Sequence, residues 1–444
     1  MLLMFIRKKL SSFQIMILGF AGVIIVGTVL LMLPVAVKGG EGASMEDALF
    51  TATSAVCVTG LVVRDTASYW SAFGQAVILV LIQIGGLGII SVAAFISMIS
   101  GRKISLLQRS MLQDSMSAHQ LGGIVKMTGL IVQIAVISEM IGALLMMPSF
   151  CGQYGISGIW LAFFHSVSAF CNAGFDIMGT RTGAFSSLTA FSTDLGIVIP
   201  VCLLIIIGGI GFLTWDDLLE NRFHFRRYRM QTKVVLCATA VLILIPFLLI
   251  LLFEYTELPL KDRVCLALFQ AITPRTAGFN TADLSAMTGA GRVLIISLML
   301  VGGSPGSTAG GMKTTTAAVL IANALSVFRR KKNVQMFGRR IEDSTIKSAA
   351  TLLSLYLLLP LIGAIIISMR ESLPVDTCIF ETVSAIGTVG LSLGITPSLG
   401  LGSHLMLIAL MFFGRVGGLT LIYAAFSSKS TDLSQRPVEK IIVG

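Results

Sequence analysis

Long apolar runs alternate with short, half-polar ones along this chain. Crossing a bilayer takes about 20 apolar residues, and runs of that order fall at 13–36, 72–99, 122–148, 190–214, 232–253, 290–327, 348–369 and 402–427. Between alternate pairs lie segments at 45–55, 157–169, 261–273 and 375–386 that are too short to cross. The pattern predicts an all-α polytopic membrane protein in which successive pairs of spans bracket a re-entrant helix. Three of the short segments open with carboxylates: Glu46 and Asp47, then Asp262, then Asp376. The positive end of a helix dipole favours them there. The segment at 157–169 lacks one.

Each short segment leads into a glycine-bearing phrase: TSAVCVTGLVV (53–63), VSAFCNAGFDI (167–177), ITPRTAGFNTA (272–282) and VSAIGTVGLSL (383–393). They align on Gly60, Gly174, Gly278 and Gly390, which recur every 104 to 114 residues. A hydroxyl residue precedes each glycine: Ser54, Ser168 and Ser384 by six places, Thr273 by five. The chain therefore divides into four tandem span–short helix–span units: 1–110, 111–225, 226–340 and 341–444. Four like units on one chain suggest pseudo-fourfold packing around one axis. Backbone inside a membrane must be satisfied internally unless it lines a polar cavity. Glycine takes φ > 0 at little steric cost, so the phrases can turn their carbonyls to a central path. Rings of such oxygens replace the water shell of a monovalent cation, and the negative C-terminal ends of the short helices favour a cation too.

Composition agrees with the pattern. The chain is 55% hydrophobic and 12% charged, where soluble domains carry about 25% charged residues. Its net charge of +10 reflects Lys and Arg gathered in inner loops, as membrane topology requires, and not a nucleic-acid surface. Placing both termini in the cytoplasm puts the basic segments 222–233 and 329–340 inside, with the glycine phrases facing out. Arg64, Arg275, Arg292 and a few others fall in the outer segments. The first apolar run reads as an uncleaved span, since no small-residue cleavage site ends a short apolar core. Seven scattered cysteines and four distant histidines form no zinc or disulfide pattern.

One stretch invites a different chemistry. GGSPGSTAGGMKTTT (302–316) nearly matches a phosphate-binding loop, but Met312 stands where the lysine belongs and Lys313 comes one place late. Such a loop also needs a preceding strand, and an apolar span precedes this one. Gly302, Gly303, Ser304, Pro305, Gly306, Gly310 and Gly311 instead predict a broken helix at 302–313, below the third glycine phrase, in the position of a gate. Lys313 brings a positive charge that either opposes cation flow or caps the break. Arg415, deep in the last run, costs about 2.5–3.5 kcal/mol on membrane-insertion scales and should face the path or a partner. Glu139 and Glu381 are two further acids in apolar surroundings, read as buried hydrogen-bonding groups, with support of the path or a sodium-related role as the alternative.

The phrases VCVTGL, FCNAGFD, TPRTAGFNT and GTVGLSLG, the loop at 302–316 and FFGRVGGLT near the end carry a resemblance. Over essentially its whole length the chain resembles the membrane subunit of Ktr potassium-uptake systems, in the Trk/Ktr/HKT superfamily. The resemblance implies a potassium filter built from Val58, Thr59 and Gly60; Asn172, Ala173 and Gly174; Thr276, Ala277 and Gly278; and Thr388, Val389 and Gly390. It implies that Arg415 restricts passage beside the 302–313 loop. It further implies a plasma-membrane homodimer with its C-terminal tail (VEKIIVG) near the interface, and a cytosolic ring of nucleotide-binding (ATP/ADP) regulatory subunits. Potassium is then the substrate, sodium a candidate activator, and the chain itself needs no cofactor. No catalytic constellation is present, so the reading is a transporter and not an enzyme. The alternative is a secondary transporter of another cation or small solute, which inverted repeats would favour; these four units run in the same direction.

Overall fold

The computed structural model describes residues 11–100, 109–113, 124–222 and 224–425. In chain order its first quarter holds α1 (Ser12–Met32), α2 (Met45–Val56), α3 (Ala72–Leu87) and α4 (Ile89–Ile99). The second holds α5 (Ile124–Tyr154), α6 (Ser157–Phe170), α7 (Leu195–Ile210) and α8 (Phe212–Asn221). The third holds α9 (Met230–Phe253), α10 (Leu260–Ile272), α11 (Gly289–Leu300) and α12 (Thr314–Phe328). It ends in a short hairpin of β1 (Gln335–Met336) and β2 (Arg339–Arg340). The last holds α13 (Asp343–Glu371), α14 (Val375–Gly387), α15 (Leu401–Val416) and α16 (Gly418–Ala425).

Local chemistry sets the starts. Ser11 and Gln14 form a capping box at α1. The hydroxyls of Ser44, Ser71 and Thr288 accept from the first turns of α2, α3 and α11, satisfying amides that a helix start leaves open. The unbroken helices α1, α5, α9 and α13 are long and apolar enough to cross a membrane. They present Ile25, Leu144, Leu244 and Leu358 outward, each more than half exposed, as suits a lipid-facing surface. The short helices reverse this pattern: Thr51, Thr53, Ser54, Ser166, Ser168, Gln270, Thr382 and Ser384 are all buried.

Three expected unbroken spans are in fact interrupted. α3 and α4 meet at 98° and α7 and α8 at 93°, and α15 stops before α16. At each break stands a glycine with positive φ: Gly88 at 84°, Gly211 at 98° and Gly417 at 92°. That backbone state cannot continue a right-handed helix, and side chains disfavour it. The fourth outgoing span, expected broken, opens into the loop at 302–313 between α11 and α12. The sequence carried a signal for all four: Gly-Gly-Leu-Gly at 85–88, Gly-Gly-Ile-Gly at 208–211, Gly-Gly-Ser-Pro-Gly at 302–306 and Gly-Arg-Val-Gly at 414–417.

The first glycine of this motif has a separate job. A Cβ on Gly85, Gly208 or Gly414 would collide with the carbonyl oxygen of Val56, Phe170 or Ile386, in the last turns of α2, α6 and α14. Each outgoing helix thus lies directly against the end of its own short helix. The short helices also pack on the outgoing helix of the preceding quarter: α6 on α3, α10 on α7, α14 on α11 and α2 on α15. That last pairing joins the two ends of the chain.

Gly208→Ala should therefore lower the unfolding temperature in detergent, by the equivalent of about 1–3 kcal/mol for overpacking. Gly22→Ala, with nothing within 4 Å of the added carbon, should be neutral or slightly stabilising in the same thermal assay.

Candidate ion pathway

The four glycine phrases meet head to tail. A Cβ on Gly60 would lie 2.5 Å from the carbonyl oxygen of Ala173, and one on Gly174 would lie 2.6 Å from that of Ala277. A Cβ on Gly278 would strike the carbonyl oxygen of Val389, and one on Gly390 that of Thr59. The contacts close a ring, and a side chain at any of the four glycines would enter the backbone of the next phrase. All four glycines have positive φ: 93°, 67°, 78° and 91° in chain order. The residues two places earlier, Val58, Asn172, Thr276 and Thr388, are also left-handed, at 56°, 58°, 67° and 50°. This state is uncommon for non-glycine residues, and rarest of all for β-branched ones.

The strain is held from behind. Thr59, Ala173 and Val389 each donate their amide to the carbonyl of the hydroxyl residue at the end of the short helix, Ser54, Ser168 and Ser384, at 2.8 Å. The Ser54 and Ser384 hydroxyls accept from the amides of Gly60 (3.1 Å) and Gly390 (3.0 Å). Those of Ser168 and Thr273 donate to the carbonyls of Phe175 (2.8 Å) and Phe279 (2.6 Å). The third phrase is one residue shorter because its helix stops early. α10 ends at Ile272, and Ala277 reaches Thr273 in a tighter turn at 3.0 Å. With their amides turned backward, the carbonyls of Val58, Thr59, Asn172, Ala173, Thr276, Ala277, Thr388 and Val389 accept no hydrogen bond among the described residues. The side-chain polar atoms of Thr59, Asn172, Thr276 and Thr388 are buried without a protein partner. The arrangement is a ring of fixed oxygen dipoles, able to replace the hydration shell of a cation.

The loop 302–313 lies against this ring. A Cβ on Gly302 would meet the Thr276 methyl at 3.1 Å, one on Gly311 would meet the Gly387 carbonyl oxygen at 2.7 Å, and Gly310 abuts the Thr388 side chain. The neck of the loop closes through Gly302 N to Met312 O (2.7 Å), Thr314 N to Gly303 O (3.0 Å) and the Ser304 and Thr314 hydroxyls (3.0 Å). Its tip docks on the α7/α8 break: Ser304 N to Gly209 O at 2.9 Å, Thr308 N to Gly208 O at 3.2 Å, and Phe212 N to Gly306 O at 2.8 Å. The Thr308 hydroxyl reaches the Phe170 carbonyl at the end of α6, at 3.0 Å. A broken helix leaves amides and carbonyls without partners, and here two breaks satisfy each other.

Arg415 joins the loop to a third break. Its guanidinium donates to the carbonyls of Thr308, Gly85 and, at 3.1 Å, Gly86. Lys313 donates to the loop carbonyls of Ala309 (2.7 Å) and Gly310 (3.3 Å), so it caps the break. It also lines a cavity of about 680 Å³, together with Gly86, Pro305, Ser307 and Arg415.

Glu381 is held by the Ser392 (2.5 Å) and Thr396 (2.8 Å) hydroxyls and the Leu393 amide (3.0 Å), bracing the fourth phrase. Glu139 accepts from Gln83 at 2.9 Å, tying α5 to α3. Arg275, in the third glycine phrase, is 3% exposed and donates to the Thr239 hydroxyl on α9 at 3.3 Å. The C-terminal tail and the basic residues at 7–9, 102–103 and 429–440 lie outside the described residues.

A family model described as a cation transport protein, TrkH, matches residues 11–435. The chain belongs to the TrkH family of cation transport proteins. It is 38% identical to the potassium/sodium uptake protein NtpJ of Enterococcus hirae, covering 99% of this chain and 98% of that one. It is 36% identical to the Ktr system potassium uptake protein B of Bacillus subtilis, covering 95% and 94%. The potassium transporter TrkH from Vibrio parahaemolyticus superposes with a TM-score of 0.73 at 20% identity, over 94% of this chain and 85% of that one. This family member is therefore a multi-pass membrane protein of the cation-transport class and not an enzyme.

Ser54→Ala or Ser384→Ala leaves a buried glycine amide without its side-chain acceptor, a loss of about 1–3 kcal/mol. Either variant should unfold at a lower temperature, whereas Ser354→Ala, on an exposed helix face, should not.

Proposed function

We propose that this chain is the ion-translocating subunit of a potassium uptake system. The observation that carries the reading is the closed ring of Gly60, Gly174, Gly278 and Gly390, with unengaged carbonyls before each glycine. Val58 and Thr59, Asn172 and Ala173, Thr276 and Ala277, and Thr388 and Val389 supply those oxygens to the ion. The four units at 1–110, 111–225, 226–340 and 341–444 each contribute one wall. Each wall has one glycine, so well-formed ion sites are few and discrimination against sodium is modest. The names of the related potassium and potassium/sodium uptake proteins support potassium as substrate, with sodium as co-ion or activator.

The 302–313 loop is the gate in this reading, and Arg415 is its clasp. The clasp sits between the loop and the α3/α4 break, so releasing it frees the loop on one side. Lys313 travels with the loop, because its hydrogen bonds are to the loop's own carbonyls. Flux follows the ion gradient and the membrane potential, worth about 2.3 kcal/mol per charge per 100 mV. The termini and the basic segments 222–233 and 329–340 face the cytoplasm. There a ring of nucleotide-binding regulatory subunits docks on a homodimer of this chain and supplies any ATP or ADP dependence.

Expression with and without such a subunit in a potassium-uptake-deficient cell tests the whole reading; correctly inserted protein that restores no growth on low potassium in either case refutes it. Gly278→Ser should reduce potassium preference over sodium by about tenfold, the equivalent of roughly 1.4 kcal/mol, measured as the ratio of uptake rates. Arg415→Ala, or a deletion within 302–313, should raise flux at unchanged surface expression. Unchanged flux in both would rule out the gate.

A further inference from the structure

Beside the gate lies a second recess, outside the ion pathway. Its volume is about 450 Å³, and it opens between α9 and α12. Its walls are apolar: Val234, Val241 and Leu242 on one side, Ala318, Ala322 and Leu325 on the other. Small residues on α12 create it, since Ala317, Ala318 and Ala322 recur at helical spacing where larger side chains would close the gap. Its lining runs from Val234 to Leu242 on α9 and from Thr314 to Arg329 on α12, about 12 Å and about 22 Å of helix at 1.5 Å per residue. The recess is therefore an elongated slot along α12 that ends where that helix ends.

At that end the lining changes to Arg329, Lys331 and the β1 hairpin. Both basic residues are exposed, and among the described residues neither side chain has a hydrogen-bond or ion-pair partner. The neighbouring Arg340, by contrast, is paired with Asp343 at 3.6 Å. An elongated apolar slot with two unpaired cations at its mouth has the chemistry to hold an amphiphile with an anionic head. A water-soluble ligand has no use for the slot, and a neutral lipid has none for the cations. The geometry points to a binding site for an anionic phospholipid of the cytoplasmic leaflet, its acyl chain between α9 and α12 and its phosphate on Arg329 and Lys331.

The site adjoins the gate through one helix. Val234 and Met336 line both this recess and the large cavity beneath the loop. Thr314, Ala317 and Ala318 of α12 face the lipid slot, while Lys313, Thr315, Thr316 and Val319 face the cavity. The bound lipid thus supports the helix from which the 302–313 loop springs. The slot stands independently of the transport reading; its assignment to the cytoplasmic leaflet rests on the proposed orientation, and an effect of the lipid on flux rests on the transport reading.

The test is lipid retention by the full-length protein, purified in mild detergent after equilibration with phosphatidylglycerol or phosphatidylcholine and read by native mass spectrometry. The parent should hold phosphatidylglycerol selectively. The double variant R329Q/K331Q should lose it by roughly tenfold or more, as expected for two basic residues near an anionic surface. Ala322→Phe should lose it by filling the slot with both charges intact. Arg226→Gln with Arg227→Gln, on another inner loop, should retain it. Equal retention in R329Q/K331Q and parent, or equal binding of both lipids, overturns the site. So does an Ala322→Phe variant that alters dimerisation or binding of a cytosolic subunit while lipid retention is unchanged, since the slot then belongs to a protein partner. In vesicles, added phosphatidylglycerol should change potassium flux through the parent and not through R329Q/K331Q; flux that responds equally in both overturns the coupling to the gate.

Discussion

Every feature of the central path follows from one constraint: a peptide group that leaves a helix inside a bilayer must find another partner. This chain leaves its helices at two levels and resolves the two differently. At the glycine phrases the amides turn back to the short helices and the carbonyls stay unengaged. At the breaks of the outgoing helices, amides and carbonyls of one break pair with those of another. The first arrangement leaves oxygen dipoles for a cation. The second fastens the loop at 302–313 to its surroundings.

Glycine serves both levels, for different reasons. At Gly60, Gly174, Gly278 and Gly390 it supplies a positive φ and a close approach to the adjoining phrase. At Gly85, Gly208 and Gly414 only the close approach matters, because the outgoing helix rests on a carbonyl at the end of the short helix. The motif at the breaks is nearly uniform, and its exception is informative. Arg415 occupies the place held by Gly86 and Gly209. Its guanidinium reaches carbonyls of two other segments, which a glycine could not do. Intramembrane arginine is unfavourable in lipid, and three carbonyl acceptors offset that here.

The short helices, the glycine phrases and the broken third outgoing span were legible in the sequence. Each is marked by local chemistry: carboxylates at a helix start, a hydroxyl five or six places before a glycine, Pro305 among glycines. The other three breaks were not read, because Gly88, Gly211 and Gly417 lie in apolar runs with no proline beside the glycines, where glycine is tolerated in a helix. Comparison between the runs would have exposed them, since a related glycine motif recurs in all four. The resemblance set Arg415 beside the loop, where it meets the Thr308 carbonyl, but its partners at Gly85 and Gly86 could not be read. They are carbonyls, which sequence does not distinguish, made available by a break that was itself unread. The burial of Arg275 against Thr239 was not legible either, because it depends on a partner from another helix.

The ring closes between Gly390 and Thr59, and the clasp runs from Arg415 back to Gly85. Both unions join the last part of the chain to its first. During synthesis the earlier helices can enter the membrane and pair with their neighbours, but they enclose no path until the fourth phrase arrives. By then nearly the whole chain has left the ribosome, and the residue that fastens the loop follows within a few turns of helix. A chain that stops short of the fourth phrase is therefore an open arc, with neither the closed ring nor the Arg415 contact to the loop. The last quarter completes the one and fastens the other within a single stretch of synthesis.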